Sequence, residues 1–280
     1  MATEWVLLIR HTDQELAVNA ADAVFRDIDA LEAELSRFRP DSEVGRIGRL
    51  RSGESVALRL AAWDCLSLAR DVWQATAGAF DVAIGPLYEL WRNRPASDPP
   101  TDAELASAMA RSGSRLFDLD EESQRIQVHT DHLRLDLGAI GKGYALDMAA
   151  HLLRTDWDVE NALLITGGGS TVLAMGCAPD GDGWQINVGP PENPPLRLTA
   201  GSVSASGFIY QGRHIVNPRT GLPVSTEKLH TWAVAPTAAL SDALSTAFLI
   251  MERSEIARFL TTQPDVRAFL VDGEVLPDVG

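Results

Sequence analysis

One ten-residue segment, Leu135 to Tyr144 (LDLGAIGKGY), constrains the fold of this chain more than any other. It predicts a short apolar strand that carries a carboxylate, then a turn of small residues, then a helix that begins near Lys142. Backbone N–H groups at a helix start, together with a cation, bind phosphate. The segment matches neither the Walker nor the GxGxxG pattern, and a plain strand-to-helix turn with a solvated lysine explains the same residues.

A second segment, Ser241 to Thr246, predicts a metal-binding helix face. Asp242 and Thr246 are four residues apart and therefore share one face of a helix, with Ser245 beside them. Carboxylate and hydroxyl oxygens suit Mg²⁺, although phosphates, water or backbone carbonyls must complete its six ligands. The alternative is an acidic residue that stabilises the first turns of a helix. Together the two segments indicate chemistry on a nucleotide-like substrate.

Charge and composition exclude several classes of partner. The net charge is -15 and no run of Lys or Arg occurs, so neither nucleic acid nor membrane is an expected partner. No apolar run reaches the length of a membrane span or a signal peptide. Cys65 and Cys177 lack a CxxC partner, which predicts inert thiols in a reducing compartment. The prediction is a cytoplasmic protein, or one from which a leader has been removed.

Apolar periodicity predicts a mixed α/β (α+β) fold, because helices and strands alternate too irregularly for a doubly wound sheet. The predicted helices are Glu15–Phe38, Ala61–Thr76, Asp102–Arg111, Gly143–Arg154 and Ala238–Arg253. The predicted strands are Val6–Ile9, a hairpin of Arg125–His129 with Leu133–Leu137, Ala162–Ile165, Val172–Met175, Trp184–Val188, Leu196–Thr199, Trp232–Ala235 and Ala268–Val271.

Three further segments are candidates for function, and each has a structural alternative. His214 could deprotonate a hydroxyl nucleophile, or it could be a structural residue ahead of the turn at 217–221. Residues 78–81 (GAFD) could contact a flat ligand or form a helix C-cap. Residues 167–169 (GGG) permit close backbone approach or form a hairpin turn.

In this order the segments closely resemble the ApbE family of flavin transferases, the FAD:protein FMN transferases. The matching segments are 36–43, 78–81, 136–144 with Asp147, 167–168, 206–207, 214–221 and 235–246, and Met1-Ala2-Thr3 resembles the family's opening. The resemblance implies mixed or antiparallel sheets flanked by helices. It also implies a catalytic domain over residues 1–280, either undivided or built of two subdomains with the active-site cleft between them.

The resemblance also implies roles for individual residues. His214 corresponds to the proposed base, and Lys142 to a second cation on the phosphate. The magnesium ligands correspond to the backbone carbonyl of Ala139 and to Asp242 and Thr246, with Ser245 at a position that sometimes joins them. The residues that line the FAD site correspond to Met1, Phe38, Ala79, Phe80, Asp81, Asp136, Lys142 and Val216.

The family cleaves the pyrophosphate of FAD and attaches FMN, through its phosphate, to a threonine or serine of a target flavoprotein, leaving AMP. The resemblance implies this reaction here, with FAD and an acceptor flavoprotein as partners and Mg²⁺ as cofactor. Two alternatives stay open: hydrolysis of FAD to FMN and AMP, and non-catalytic FAD binding.

At three positions the chain departs from the family's pattern. Gly169 and Phe208 stand where the family usually has aspartate, and Asn217 replaces the aspartate before Pro218. Loss of negative charge at the first two positions predicts altered recognition of the acceptor protein or altered metal affinity.

Overall fold

A computed structural model of the chain describes residues 3–92, 94, 98–189, 194–207, 215–224 and 230–270. Within them the chain divides into two compact units. The first unit comprises residues 3–32, 138–207 and 230–270, and the second comprises residues 33–137 and 215–224.

The described residues form strands and helices in the following order along the chain. The strands are β1 Trp5–Ile9, β2 Ser55–Ala57, β3 Phe117–Asp120, β4 Arg125–Val128, β5 Ala162–Thr166, β6 Thr171–Met175, β7 Trp184–Ile186, β8 Leu196–Leu198, β9 Ala200–Gly207, β10 His230–Ala235 and β11 Arg267–Leu270. The helices are α1 Gln14–Leu35, α2 Glu43–Ile47, α3 Leu60–Ala75, α4 Gly85–Arg92, α5 Asp102–Ala110, α6 Gly141–Thr155, α7 Ala238–Ile250 and α8 Arg253–Leu260.

The first unit is built on a six-stranded antiparallel sheet in the order β1-β5-β6-β9-β10-β11. One face of the sheet packs against α1 and α6 through a core that includes Val24, Ile28, Leu146, Leu153 and Leu164. Helix α7 lies against β9 and β10 and beside α6. The other face packs on the β7–β8 ribbon through Trp184, Ile186 and Leu198. This layering buries an apolar face on each element, as a two-faced sheet requires.

The second unit contains a three-stranded antiparallel sheet in the order β2-β4-β3 and the helices α2 to α5. Helix α3 buries Ala62, Cys65, Leu66 and Ala69, which follow the helical spacing predicted from the sequence. Antiparallel sheets with flanking helices in both units confirm the predicted mixed α+β class. No helix among the described residues combines the length and the apolar character that a membrane span needs.

The predicted hairpin of Arg125–His129 with Leu133–Leu137 is wrong. Strand β4 pairs with β3, which precedes it, and with β2. Residues 133–137 belong to no strand or helix and bury alternate leucines, and their backbone hydrogen bonds go to a different part of the second unit. Asp136 N donates to Val82 O at 2.7 Å, and Gly85 N donates to Arg134 O at 3.1 Å. Alternating burial therefore identified an extended segment without identifying its partner.

Six elements were not predicted, namely the strands β2, β3 and β9 and the helices α2, α4 and α8. Strand β9 was missed because its sequence, AGSVSASG, lacks apolar alternation. The helix predicted to run to Arg253 ends at Ile250, where Met251 adopts an extended conformation. Helix α8 then begins with a capping box formed by Glu252 and Glu255.

Candidate active site

The helix predicted after the LDLGAIGKGY segment is α6, and Lys142 is its second residue. The Lys142 ammonium donates to the Gly138 carbonyl oxygen and lies 3.2 Å from Asp242 Oδ2. The side chain of Ile140, at the N-cap, makes no capping bond. The first turn of α6 thus combines backbone N–H groups with a cation, which is the arrangement that binds phosphate.

Asp242 is the carboxylate of the predicted metal face, and its side chain is almost fully buried in the second turn of α7. In addition to Lys142, its Oδ2 accepts a hydrogen bond from Gly143 N at 3.3 Å. Residues that are 100 positions apart in the sequence therefore meet within the first unit. This contact joins the predicted phosphate segment to the predicted metal segment.

A second carboxylate connects the same two helices in the opposite direction. Asp147 of α6 accepts from Ala238 N at 2.7 Å through Oδ1 and from Ala239 N at 2.8 Å through Oδ2. Burial raises the pKa of Asp147 to about 6, the two backbone hydrogen bonds oppose that rise, and the charge of Asp242 adds to it. Each helix start is therefore bound by a carboxylate from the other helix.

Hydroxyl groups connect α7 to β9. Ser206 Oγ lies 2.9 Å from Ser245 Oγ and 3.1 Å from Thr246 Oγ1. Ser245 Oγ also donates to the Asp242 carbonyl oxygen at 2.9 Å. One turn earlier, Ser241 Oγ donates to Ser202 Oγ at 2.9 Å and lies 2.8 Å from Ser204 Oγ. The half-buried hydroxyl of Ser206 thus holds Thr246 and Ser245 on the sheet.

The oxygen donors in this region fit Mg²⁺. The Asp242 carboxylate and the Thr246 hydroxyl are hard ligands, and Ala139 lies in the turn before α6. The contact of the Lys142 ammonium with both the Asp242 carboxylate and the Gly138 carbonyl shows that oxygens here converge on a cation. A group of three or more His, Cys, Asp or Glu side chains suited to a metal does not occur in the described part of the chain. Hydroxyl, carbonyl, phosphate and water oxygens would therefore complete the coordination.

In the second unit, Arg37 contacts both Asp136 and Phe38. The Arg37 guanidinium is 2.8 Å from Asp136 Oδ2 and 4.7 Å from the centre of the Phe38 ring. Its other neighbour is the Tyr88 ring, at 4.5 Å. Phe38 is 74% exposed, which leaves most of its ring available to a ligand. The two rings hold the Arg37 guanidinium by stacking, and the guanidinium orients the Asp136 carboxylate by charge.

The other predicted FAD contacts of the second unit are buried. Ala79, Phe80 and Val216 have almost no exposed surface. The Asp81 carboxylate accepts hydrogen bonds from Ala83 N and from the backbone and side chain of Ser114, at 2.7 to 2.9 Å. Burial raises the pKa of Asp81, against the effect of these bonds. Since these side chains are engaged in packing and turn bonds, backbone groups are the better candidates for ligand contact here.

Met1, Phe208 and His214 lie outside the described residues. Of the remaining departures from the family's pattern, Gly169 is the third of three successive glycines with φ values of 67°, 64° and 94°. A side chain would strain that backbone. Asn217 Oδ1 accepts from Arg219 N at 2.9 Å, a turn bond that an aspartate oxygen would make equally well.

Sequence reasoning gave no role to Asp147 or Ser206. Both belong to segments that carry the resemblance, but neither type of residue indicates by itself which helix or hydroxyl it contacts. The alternation of Ser202, Ser204 and Ser206 is the signal that could have revealed a buried polar strand face, because alternate residues of a strand share one face.

Comparison with families of known proteins gives a match to the ApbE family over residues 1–270. This chain belongs to the ApbE family. The predicted resemblance is therefore confirmed.

Curated relatives of this ApbE chain include the FAD:protein FMN transferases of Klebsiella pneumoniae and Salmonella typhimurium. They are 27% and 26% identical over 270 residues, and each match covers 90% of this chain and 76% of the relative. Among solved structures, flavin transferase ApbE from Vibrio cholerae superposes with a TM-score of 0.80 at 22% identity, covering 96% of this chain and 93% of that one. The apo form of flavinyl transferase ApbE from Pseudomonas stutzeri gives 0.82 at 23% identity, with coverage of 96% and 90%. At these identities the two structures show that the ApbE chain shares their fold.

Proposed function

We propose that this chain transfers the FMN moiety of FAD to a threonine or serine hydroxyl of an acceptor flavoprotein, with Mg²⁺ as cofactor and AMP as the second product. Membership of the ApbE family and the names of the curated relatives support the proposal. The observation that carries it is the contact of Asp242 with Lys142 and with the first turn of α6. This contact supports the proposal because it joins the helix start proposed to bind phosphate to the carboxylate proposed to bind the metal.

In this proposal the first turn of α6 and Lys142 bind the diphosphate of FAD. The backbone N–H groups and the ammonium offer positive charge to the phosphoryl oxygens, whereas the protein as a whole is strongly acidic. Asp242, Thr246 and the carbonyl of Ala139 hold Mg²⁺, with Ser245 beside them. Bound Mg²⁺ offsets the negative charge that develops on the phosphoryl oxygens and on departing AMP.

The transfer forms one phosphorus–oxygen bond and breaks another. The acceptor hydroxyl oxygen bonds to the FMN phosphorus while the bond to the AMP phosphate breaks. His214 remains the predicted base that takes the hydroxyl proton, a contribution worth about 10²–10⁴-fold. Met1, Phe38, Ala79, Phe80, Asp81, Asp136 and Val216 remain predicted FAD contacts.

A product analysis tests the proposal. The purified chain is incubated with FAD, MgCl₂ and a panel of flavoproteins with a surface threonine or serine, and the products are separated by mass. An acceptor that is heavier by one FMN, with equimolar AMP, supports transfer. Free FMN with AMP and an unmodified panel would instead support FAD hydrolysis, and intact bound FAD would support a non-catalytic binder.

Matched carboxamide variants test the metal assignment. Asp242→Asn removes the buried charge, whereas Asp29→Asn removes an exposed charge on α1 in the same unit. We expect Asp242→Asn to lose Mg²⁺-dependent turnover and to keep its circular dichroism spectrum, and Asp29→Asn to match the unmodified chain. Full turnover in Asp242→Asn would remove Asp242 from the proposed metal site.

A further inference from the structure

Two carboxylates bind α6 and α7 to each other in opposite directions. Asp147 of α6 bonds the first two backbone N–H groups of α7, and Asp242 of α7 bonds Gly143 N and Lys142 of α6. Neither bond pair depends on residues outside the first unit. The position of Asp242 relative to Lys142 is therefore set by how the two helix starts are joined.

The two helix starts are also in close backbone contact. A Cβ atom added at Gly143 would lie 2.6 Å from Ala239 N, and closer still to the carbonyl group of Ala238. At such separations side chains cannot act as spacers, so directed hydrogen bonds decide the relative position of the helices. The bonds of Asp147 to Ala238 N and Ala239 N lie at this contact.

Asp147 does more than complete the capping of α7, because its carboxylate comes from a different helix, α6. Thr237 is already the N-cap of α7, and its Oγ1 accepts from Leu240 N at 3.3 Å. Asp147 keeps a carboxylate in a buried place, where the charged form is disfavoured. What it adds to the Thr237 cap is the attachment of α7 to α6.

We propose that Asp147 is a positioning residue, which fixes the first turn of α7 on α6 and so holds Asp242 at its distance from Lys142. The inference rests on the proposed function for what Asp242 and Lys142 bind, FAD diphosphate and Mg²⁺, whereas the attachment itself can be measured without either ligand.

Three variants separate the effect of Asp147 on the position of α7 from its effect on the stability of α7 and from the effect of its charge. Asp147→Ala removes both acceptors, Asp147→Asn removes the charge but keeps one acceptor, and Thr237→Ala removes the other cap of the same helix. Hydrogen–deuterium exchange of the ligand-free protein reports the attachment. We expect Asp147→Ala to increase exchange in the first turns of both α6 and α7, and Thr237→Ala to increase it in α7 alone. Faster exchange confined to α7 in Asp147→Ala would overturn the inference.

The second measurement is the Mg²⁺ concentration that gives half of the maximal increase in FAD affinity. FAD binding is monitored by FAD fluorescence in the absence of an acceptor protein. Loss of a residue that orients a metal ligand typically weakens metal affinity by about 10–100-fold, and we expect at least the lower value for Asp147→Ala. Asp147→Asn should raise this Mg²⁺ concentration by less, and Thr237→Ala should leave it unchanged. Equal rises in Asp147→Ala and Asp147→Asn would assign the effect to charge alone, against positioning.

The result that would contradict the proposed function differs from the result that would contradict the role of Asp147. If the unmodified chain bound FAD with no Mg²⁺ dependence, the proposed function would fail, and hydrogen exchange would still decide whether Asp147 attaches α7 to α6. If Asp147→Ala does not fold, Asp147→Asn carries both measurements, because it keeps the shape of the side chain.

Discussion

Replacement of Gly143 by alanine tests the helix contact on which the candidate site depends. In an ordinary helix interior this change stabilises a protein by about 1 kcal/mol, because alanine is the better helix former. Here the new methyl group would lie 2.6 Å from Ala239 N and nearer to the Ala238 carbonyl. Ordinary contacts between such atoms need about 3.5 Å, so the two helix starts must separate by about 1 Å.

The magnitude follows from three terms. Overpacking of this kind costs about 1–3 kcal/mol. Separation also lengthens the bonds of Asp147 to Ala238 N and Ala239 N and that of Asp242 to Gly143 N, which are worth about 1 kcal/mol each. After subtraction of the gain in helix propensity, we expect Gly143→Ala to lose about 3–5 kcal/mol of unfolding free energy. A displacement of about 1 Å can also lower turnover about 10²-fold.

Urea denaturation and the Mg²⁺ dependence of FMN transfer measure the two effects. Gly48→Ala is the matched control, since a Cβ there meets its nearest neighbour at 3.5 Å and the backbone φ is -63°. We expect its unfolding free energy to change by less than about 0.5 kcal/mol. If Gly143→Ala proved as stable as the control and kept its Mg²⁺ dependence, close helix contact would not be a requirement of the site.

Three further predictions concern single side chains. Burial raises the pKa of Asp147 to about 6 from 3.8, so its stabilising contribution is full below about pH 4 and is lost as the pH rises through 6. In urea denaturation, the stability of the unmodified chain relative to Asp147→Asn should therefore rise by about 1 kcal/mol from pH 7 to pH 5. Ser206→Ala removes the hydroxyl 3.1 Å from Thr246 Oγ1, and should raise the Mg²⁺ concentration for half-maximal FAD tightening while costing about 1 kcal/mol of stability. Asn217→Asp keeps the turn bond to Arg219 N, and its melting temperature should match that of the unmodified chain.

Each of these predictions has a contrary result. A difference between Asp147 and its asparagine variant that does not change with pH would show that this carboxyl titrates outside the interval from 5 to 7. An unchanged Mg²⁺ requirement in Ser206→Ala would show that Thr246 is held without it. A marked loss of stability in Asn217→Asp would mean that the carboxamide N–H₂ group, rather than its oxygen, matters in the turn.

The parts of the fold that the sequence predicted are those with regular apolar spacing. Helices α1, α3 and α6 repeat apolar residues with the helical period, and strands β5 and β6 are short, nearly continuous apolar runs. Strand β9 shows why other elements were not predicted. Its buried face carries Ser202 and Ser204, whose hydroxyls are satisfied by α7 and β6, and the alternation of serines does not by itself show that this face is buried.

The sequence identified the residues of the candidate site, but it could not show which of them are in contact. The resemblance named Lys142 and Asp242 separately, and each segment alone fits an ordinary helix start. Their contact depends on the packing of helices whose sequences are about a hundred residues apart, which is a property of tertiary structure. The hydrogen-bond partner of residues 133–137 could not be predicted for the same reason, since Asp136 N bonds the distant Val82.

The hydroxyl contacts between α7 and β9 have a consequence for how α7 can move. A helix held only by methyl groups can slide along a sheet, because one apolar contact replaces another at little cost. A slide of about half a turn here would separate Ser241 from Ser204 and Ser245 from Ser206, and each buried hydroxyl left without a partner costs about 1–3 kcal/mol. The serines therefore oppose small axial displacements of α7, and they hold Asp242 at its place along the sheet.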